Sequence, residues 1–191
     1  LGVGTGIGGG ALVDGHLLIG EEGNAVEVGH MIVDPQGRLE CGCGGLGHWE
    51  AYCSGSGIPR FFSLWVEEED LDIQALAGGM DVGDLPAEEV LALARRVEAL
   101  GGFLEEIRKL NAVGLANIIN LFNPSLITFG GSVALGNPDL IEEALRYLSS
   151  YAYNRVPKII PSPLGGDAVL YGAVALALKP PEALLEVQPQ P

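Results

Sequence analysis

The sequence is poor in cations. Ten Lys and Arg stand against 25 Asp and Glu, for a net charge of −15. Phosphate backbones are bound by Lys and Arg, so this balance argues against nucleic acid as a partner. It argues equally against an anionic membrane surface. No apolar run approaches the ~20 residues of a membrane span. No basic stretch precedes an apolar one at the start, so no signal peptide is expected. Cysteine is scarce: there are three, two of them separated by a single residue. An odd, clustered set does not make a secreted disulfide framework; it points to reduced thiols or a metal site, and the cytoplasm is the expected compartment. An initiator Met is also lacking, and a functional-looking glycine loop begins at Gly4. The expectation is that an N-terminal domain lies outside this sequence. With 48% hydrophobic and 18% charged residues over 191 positions, collagen, coiled coil and intrinsic disorder are excluded. No internal repeat is found.

Glycine, by contrast, is abundant. Its 29 copies are roughly twice the ordinary share, bunched near 2–10, 42–47 and 130–136. Residues 1–3 read as the end of a strand feeding the first bunch. Asp14-Gly15 between Ala11-Leu12-Val13 and His16-Leu17-Leu18-Ile19 is a type I′ hairpin signal. Residues 20–28 read as loop, His30 to Val33 as a short strand, and Asp34-Pro35-Gln36-Gly37 as a turn. A helix is expected from Trp49. Residues 64–84, acidic and broken at Gly78-Gly79, read as a variable surface segment. The strongest helical pattern spans 86–121, with Gly101-Gly102 as its possible break and Asn123-Pro124 as its end. A buried-type strand over 125–129, a helix over 138–150, a strand over 156–160 and an alanine-rich, apolar-sided helix over 167–178 follow. Residues 179–191 read as a proline-rich tail. The order predicts an α/β domain over 1–178 with parallel strands in its sheet.

Four groups of residues could carry chemistry. In Gly4-Thr5-Gly6-Ile7-Gly8-Gly9-Gly10, backbone N–H groups free of side chains make a nest for phosphate oxygens, and Thr5 adds a hydroxyl; a plain turn between strands is the alternative. No Gly-Lys-Ser/Thr follows, so it is not a Walker loop. His30, Cys41, Cys43 and His48 supply the nitrogen and sulfur donors of a tetrahedral zinc site, the alternative being buried free thiols in a glycine-rich turn. Cys53 reads as a small core residue. Glu27, Glu50 and Asp167 are carboxylates able to accept hydrogen bonds from sugar hydroxyls, or simply surface acids. Gly130-Gly131-Ser132 follows an apolar strand, where α/β proteins bind ligands.

Together these blocks resemble the ROK family of sugar kinases and related repressors. The glycine loop with its Asp14-Gly15 hairpin is similar to the family's second phosphate motif. Gly23-Asn24-Ala25-Val26-Glu27-Val28-Gly29-His30 is similar to its Gly-x-Ala-Gly-Glu-x-Gly-His block. Cys41 through Glu50 resembles its Cys-x-Cys-Gly-x-x-Gly-Cys-x-Glu zinc block. Asn123-Pro124 through Ser132 resembles the adenosine-side motif. The resemblance implies an actin-like, ribonuclease-H-like ATPase fold with a zinc-binding loop. It implies ATP- and Mg²⁺-dependent phosphorylation of the 6-hydroxyl of glucose or a related hexose, and a homo-oligomer, dimer or tetramer. By that likeness Gly4, Thr5, Gly6 and Gly8 hold ATP phosphates, and Gly130, Gly131 and Ser132 lie near the nucleoside. Glu27, His30 and Glu50 bind sugar hydroxyls. His30, Cys41, Cys43 and His48 hold structural Zn²⁺, with His30 using one nitrogen for metal and the other for sugar.

Three positions depart from the pattern: His48 stands for a cysteine, Val26 for a glycine and Ser132 for a glycine. No Asp-x-Gly-Gly-Thr loop and no Glu-Asn-Asp-Ala block is present. In the family that second block supplies the general-base Asp, so no catalytic residue is expected in this chain and the fragment alone should not turn over. The same residues would serve the sugar-sensing domain of a ROK repressor or an N-acetyl-hexosamine kinase.

Overall fold

Two strands too short to stand alone organise the front of the molecule. In the computed structural model, which describes residues 1–76 and 85–181, β1 (Gly2–Val3) turns through the glycine loop into antiparallel β2 (Ile7–Gly8). β1 also joins the end of β5 (Leu126–Phe129) by a parallel bridge between Gly2 and Gly130. β5 pairs in parallel with β6 (Lys158–Pro161), Leu126 opposite Lys158. The parallel component is therefore present. β3 (Leu12–Val13) and β4 (His16–Leu17) form the expected hairpin. Asp14 and Gly15 take φ of 51° and 81°, as a type I′ turn requires.

Helices make up most of the rest of the fold around these three two-stranded pieces. α1 (Trp49–Cys53) and α2 (Gly57–Glu68) pack on the long α5 (Gly101–Phe122), with α3 (Ile73–Leu76) and α4 (Ala87–Arg96) between them in sequence. α6 (Ser132–Gly136), α7 (Asp139–Glu142) and α8 (Leu145–Tyr151) follow β5, and α9 (Ala168–Leu178) follows β6. The core lies among α1, α2 and α5. Trp49, Tyr52, Phe61, Phe62, Phe103 and Ile107 are all buried there, and the Tyr52–Phe61 and Phe62–Phe103 ring pairs meet edge to face. Burial of each such side chain contributes about 1.5–3 kcal/mol.

Several sequence expectations change. His30 to Val33 is not a strand: Val28–His30 is a 3₁₀ turn, followed by a single bridge from Ile32 to His48. The partner segment enters α1 at Trp49, so the pairing has nowhere to continue. Residues 64–68 are not a surface segment, because Trp65 and Val66 on α2 are buried. Gly78-Gly79 lies outside the described residues, as does the tail beyond Pro181. The break in the 86–121 pattern falls at Val97, which is extended (φ −107°, ψ 111°), and Gly101-Gly102 instead start α5. Gly102 is there because a Cβ would press on the Trp65 ring. The helix expected over 138–150 is two, parted by a turn at Glu143-Ala144. Asn123 ends α5 as expected, in the left-handed region at φ 43°.

One element fits the burial pattern poorly. α9 is apolar all round, with no buried residue; Val169 is 84% and Leu178 81% exposed. A cavity of about 620 Å³ opens beside Leu1, between β3 and the start of β5. No helix among the described residues is long and apolar enough to cross a membrane.

Candidate functional site: a four-donor cluster beside a glycine loop

Four side chains from three short segments meet at one point. His30 ends the 3₁₀ turn, Cys41 and Cys43 lie on a glycine-rich turn, and His48 precedes α1. Their donor atoms all lie within 4.8 Å of one another. His30 Nδ1 is 3.3 Å from His48 Nδ1, 3.8 Å from Cys41 Sγ and 3.5 Å from Cys43 Sγ, and Cys43 Sγ is 3.3 Å from His48 Nδ1. Around zinc with ordinary bond lengths, tetrahedral N–N edges are about 3.4 Å and N–S edges about 3.6 Å. The cluster therefore fits a tetrahedral zinc, with imidazole replacing the third thiolate. Burial first, then the neighbouring Cys43 and Glu50, pushes the Cys41 thiol above its ordinary pKa. A bound cation would reverse that by favouring the thiolate.

The turn that carries the cysteines is anchored at its base. Asp34 accepts hydrogen bonds from the Tyr52 hydroxyl (2.7 Å), the Arg38 side chain (3.0 Å) and the Gln36 and Arg38 backbone N–H groups. Burial alone would raise this carboxyl, but these bonds outweigh it and hold the pKa below the usual carboxylate value. Arg38 goes on to Glu68 on α2 and Glu106 on α5, and the Tyr52 hydroxyl also accepts the Leu39 N–H. This anchoring set has a sequence signal: Asp34 and Arg38 flank the Pro35–Gly37 turn. Cys53 is buried in the core, where its thiol, raised by burial, donates to the Ile107 carbonyl.

The three expected sugar-binding residues divide. With Nδ1 turned to the cluster, His30 presents Nε2 to Glu27, whose Oε2 is 3.7 Å away. That is too long for a hydrogen bond but close enough for one hydroxyl to engage both. Glu50 is turned elsewhere: Oε2 accepts the Ile7 N–H at 2.8 Å and Oε1 faces Cys41 Sγ at 3.6 Å. Immediately before Glu27, Val26 sits at φ 68°, a conformation a β-branched side chain rarely adopts. Asp167 lies away in the chain, at the start of α9.

On the far side of the glycine loop, the predicted nucleotide residues converge in part. Gly4, Thr5 and Ser132 line one cavity of about 420 Å³. The β1–β5 pairing brings them together: Val3 N–H donates to Gly130 O and Gly130 N–H to Leu1 O. Gly131 turns the chain at φ 89°, with its Cα so close to Val3 that a Cβ would overlap the Val3 backbone. Gly130 and Gly131 are thus the scaffold of this corner. Gly6 backs onto the Glu50 carboxylate and Gly8 pairs with Gly2 in β2. Sequence reasoning missed Gly55, Ser56, Glu88 and Asn137, which also line the cavity. Gly55 N–H donates to Gly4 O, and the Ser56 N–H and hydroxyl both donate to Thr5 O. The small-residue run Ser54-Gly55-Ser56-Gly57 was their available signal.

Comparison with known proteins shows the family and the fold. The ROK family profile matches residues 1–180. A glucokinase of Pyrobaculum calidifontis is 40% identical over 186 residues, covering 94% of this chain and 57% of that protein. A xylose repressor of Bacillus subtilis is 31% identical over 182 residues, covering 92% of this chain and 42% of that protein. A crystal structure of a ROK family glucokinase from Streptomyces griseus, in complex with glucose and AMPPNP, superposes with a TM-score of 0.70 at 31% identity. It matches 92% of this chain and 58% of that one. The chain spans a little over half the length of these glucokinases. Its α/β fold is the actin-like ATPase fold of the ROK sugar kinases, and the chain belongs to the ROK family.

Proposed function

We propose that residues 1–178 are the C-terminal, sugar- and nucleotide-binding domain of an ATP-dependent hexokinase of the glucokinase type, acting in the cytoplasm. The observation that carries this reading is the placement of two half-sites on one glycine loop. Gly4 and Thr5 face a cavity shared with Ser132, while the next residues pack against the Glu50 carboxylate and the four-donor cluster beside Glu27 and His30. A kinase needs that adjacency, because phosphoryl transfer depends on holding the phosphate chain and the acceptor hydroxyl in line.

In this reading Thr5, its glycines and Ser132 bind ATP as its Mg²⁺ complex, while Glu27 and His30 hold sugar hydroxyls and Glu50 supports them. Zinc, held by His30, Cys41, Cys43 and His48, fixes the loops structurally. The 6-hydroxyl oxygen attacks the γ-phosphorus, ADP leaves, and the hydroxyl proton goes to a general-base carboxylate supplied by a further domain. The exposed apolar α9 and the cavity beside Leu1 suit a surface which that domain covers. The working assembly is a homo-oligomer.

The similarity to the Bacillus subtilis xylose repressor favours a second reading, a sugar-sensing domain without phosphoryl transfer. An assay of the full-length gene product separates the two. Glucose-dependent release of ADP from ATP supports the kinase; sugar binding without turnover, with sugar-responsive binding to operator DNA, selects the repressor.

A further inference from the structure

Ile7 is gripped from two sides by segments that also carry donors of the cluster. Its N–H donates to Glu50 Oε2 at 2.8 Å, and Glu50 lies two residues after His48. Its carbonyl oxygen lies against Gly29, where any Cβ would overlap it, and Gly29 immediately precedes His30. The Ile7 side chain is 3% exposed, so the residue cannot slip outward without opening the core. On its other flank Ile7 follows Gly6, in the hairpin whose Gly4 and Thr5 line the cavity shared with Ser132. The polypeptide that closes the cluster is thus the polypeptide that clamps the base of the glycine loop.

We infer that metal binding at His30, Cys41, Cys43 and His48 locks the conformation of the glycine loop through Ile7, with Glu50 and Gly29 as the positioning residues. The physical basis is that the backbone bonds between the two segments leave the imidazoles themselves joined by a single contact. Three backbone bonds join the segment after His30 to that around His48, from Trp49 N–H to Met31 O (2.9 Å), Val33 N–H to Gly47 O (2.9 Å) and Asp34 N–H to Gly47 O (3.2 Å), and none of them involves His30 or His48 itself. The two imidazole nitrogens, 3.3 Å apart, share at most one proton between them. A metal replaces that contact with a bond to each, which fixes the spacing between Gly29 and Glu50 and so the slot that Ile7 occupies. Glu50 is the stronger handle, because a hydrogen bond to a carboxylate is roughly twice as strong as a neutral one. By linkage, whatever orders the glycine loop also tightens the metal. The inference rests on the metal reading of the cluster and not on the kinase reading, since it concerns the chain without nucleotide or sugar.

Amide hydrogen exchange on this chain tests it, in zinc-loaded, chelated and reloaded samples whose zinc content is measured. Chelation is expected to speed exchange at the Ile7 amide by about tenfold or more, the scale of one lost charge-assisted bond. The Leu115 amide in α5 should stay protected. In Glu50→Ala the Ile7 amide should exchange fast with or without zinc. In Glu50→Gln, whose side-chain carbonyl still accepts from Ile7, the zinc dependence should persist. Stoichiometric zinc in the wild-type chain with unchanged Ile7 exchange after chelation overturns the coupling alone. So does an intact zinc response in Glu50→Ala, or loss of protection throughout the chain on chelation. Absence of bound zinc overturns the metal reading and the inference with it. The wild-type comparison decides the matter even where the alanine variant does not fold.

Discussion

The indole of Trp49 lies against Gly114 of α5, so close that a Cβ at 114 would overlap the ring. Trp49 follows His48, and its Nε1 donates to Asn111 Oδ1 at 2.9 Å. The bare patch on α5 therefore seats the start of α1 and, through it, one donor of the cluster. Gly114→Ala should lower unfolding stability by about 1–2 kcal/mol: overpacking costs ~1–3 kcal/mol, offset in part by the better helix propensity of alanine. Denaturant titration checks this, and an unchanged midpoint would refute the packing account.

Val26 is the converse case, a side chain where the backbone prefers none. Relief of its strained φ, about 1–3 kcal/mol, offsets the lost contacts and added chain entropy in Val26→Gly. That variant should change stability by no more than about 1 kcal/mol. Val28→Gly, two residues on at a buried position, should cost at least ~2 kcal/mol. Equal losses in thermal melts would show that the strain carries no energy.

Purified protein should contain one zinc per chain. Cys43→Ala should lose it, while His48→Cys should keep it, since thiolate and imidazole both serve a tetrahedral site. Chelation should lower the melting temperature of the wild type and leave that of Cys43→Ala unchanged. Metal analysis beside a melting curve reads both, and zinc retained by Cys43→Ala would exclude the assigned ligand set.

Asp34 ties the cysteine turn to Tyr52 and Arg38. Its folded pKa lies below the unfolded value because those hydrogen bonds outweigh burial. Its contribution is therefore complete above about pH 4 and is lost as the pH falls through the lower folded value. Asp34→Asn should be less stable than the wild type at pH 7, by about 1–3 kcal/mol. The gap should narrow in acid, where the wild-type carboxyl is protonated. Urea midpoints measured between pH 7 and pH 2 give the comparison; a constant gap would deny the carboxylate its role.

Glu27→Ala in the full-length protein should weaken glucose binding by about tenfold, the scale of one hydrogen bond to a charged group. Binding of a non-hydrolysable ATP analogue should change far less. Calorimetric titrations with each ligand are the measurement, and equal weakening of both would remove Glu27 from the sugar site.

The sequence by itself determined the parts whose physics is local. The Asp14-Gly15 turn and the end of α5 at Asn123 were legible because each depends on one or two backbone conformations. The four donors were legible too, since His30, Cys41, Cys43 and His48 are chemically distinctive and close in the chain. Tertiary structure decided the rest. Residues 64–68 read as surface because their acids are visible in sequence, whereas the burial of Trp65 depends on α5 arriving with Gly102 in place. His30 to Val33 carried a strand's composition, yet a strand needs a partner edge, and the one offered at His48 runs into α1. Glu50 read as a free carboxylate. Its two oxygens are instead taken up by Ile7 and Cys41, and an acceptor's partners are set by which donors folding brings within 3–4 Å. The cavity beside the glycine loop likewise needed Ser56 and Asn137, which lie 51 and 132 residues from Thr5. Local pattern records conformational preference; the pairing of distant backbone at Gly2 and Gly130, and the site built upon it, came only from the packing of the whole chain.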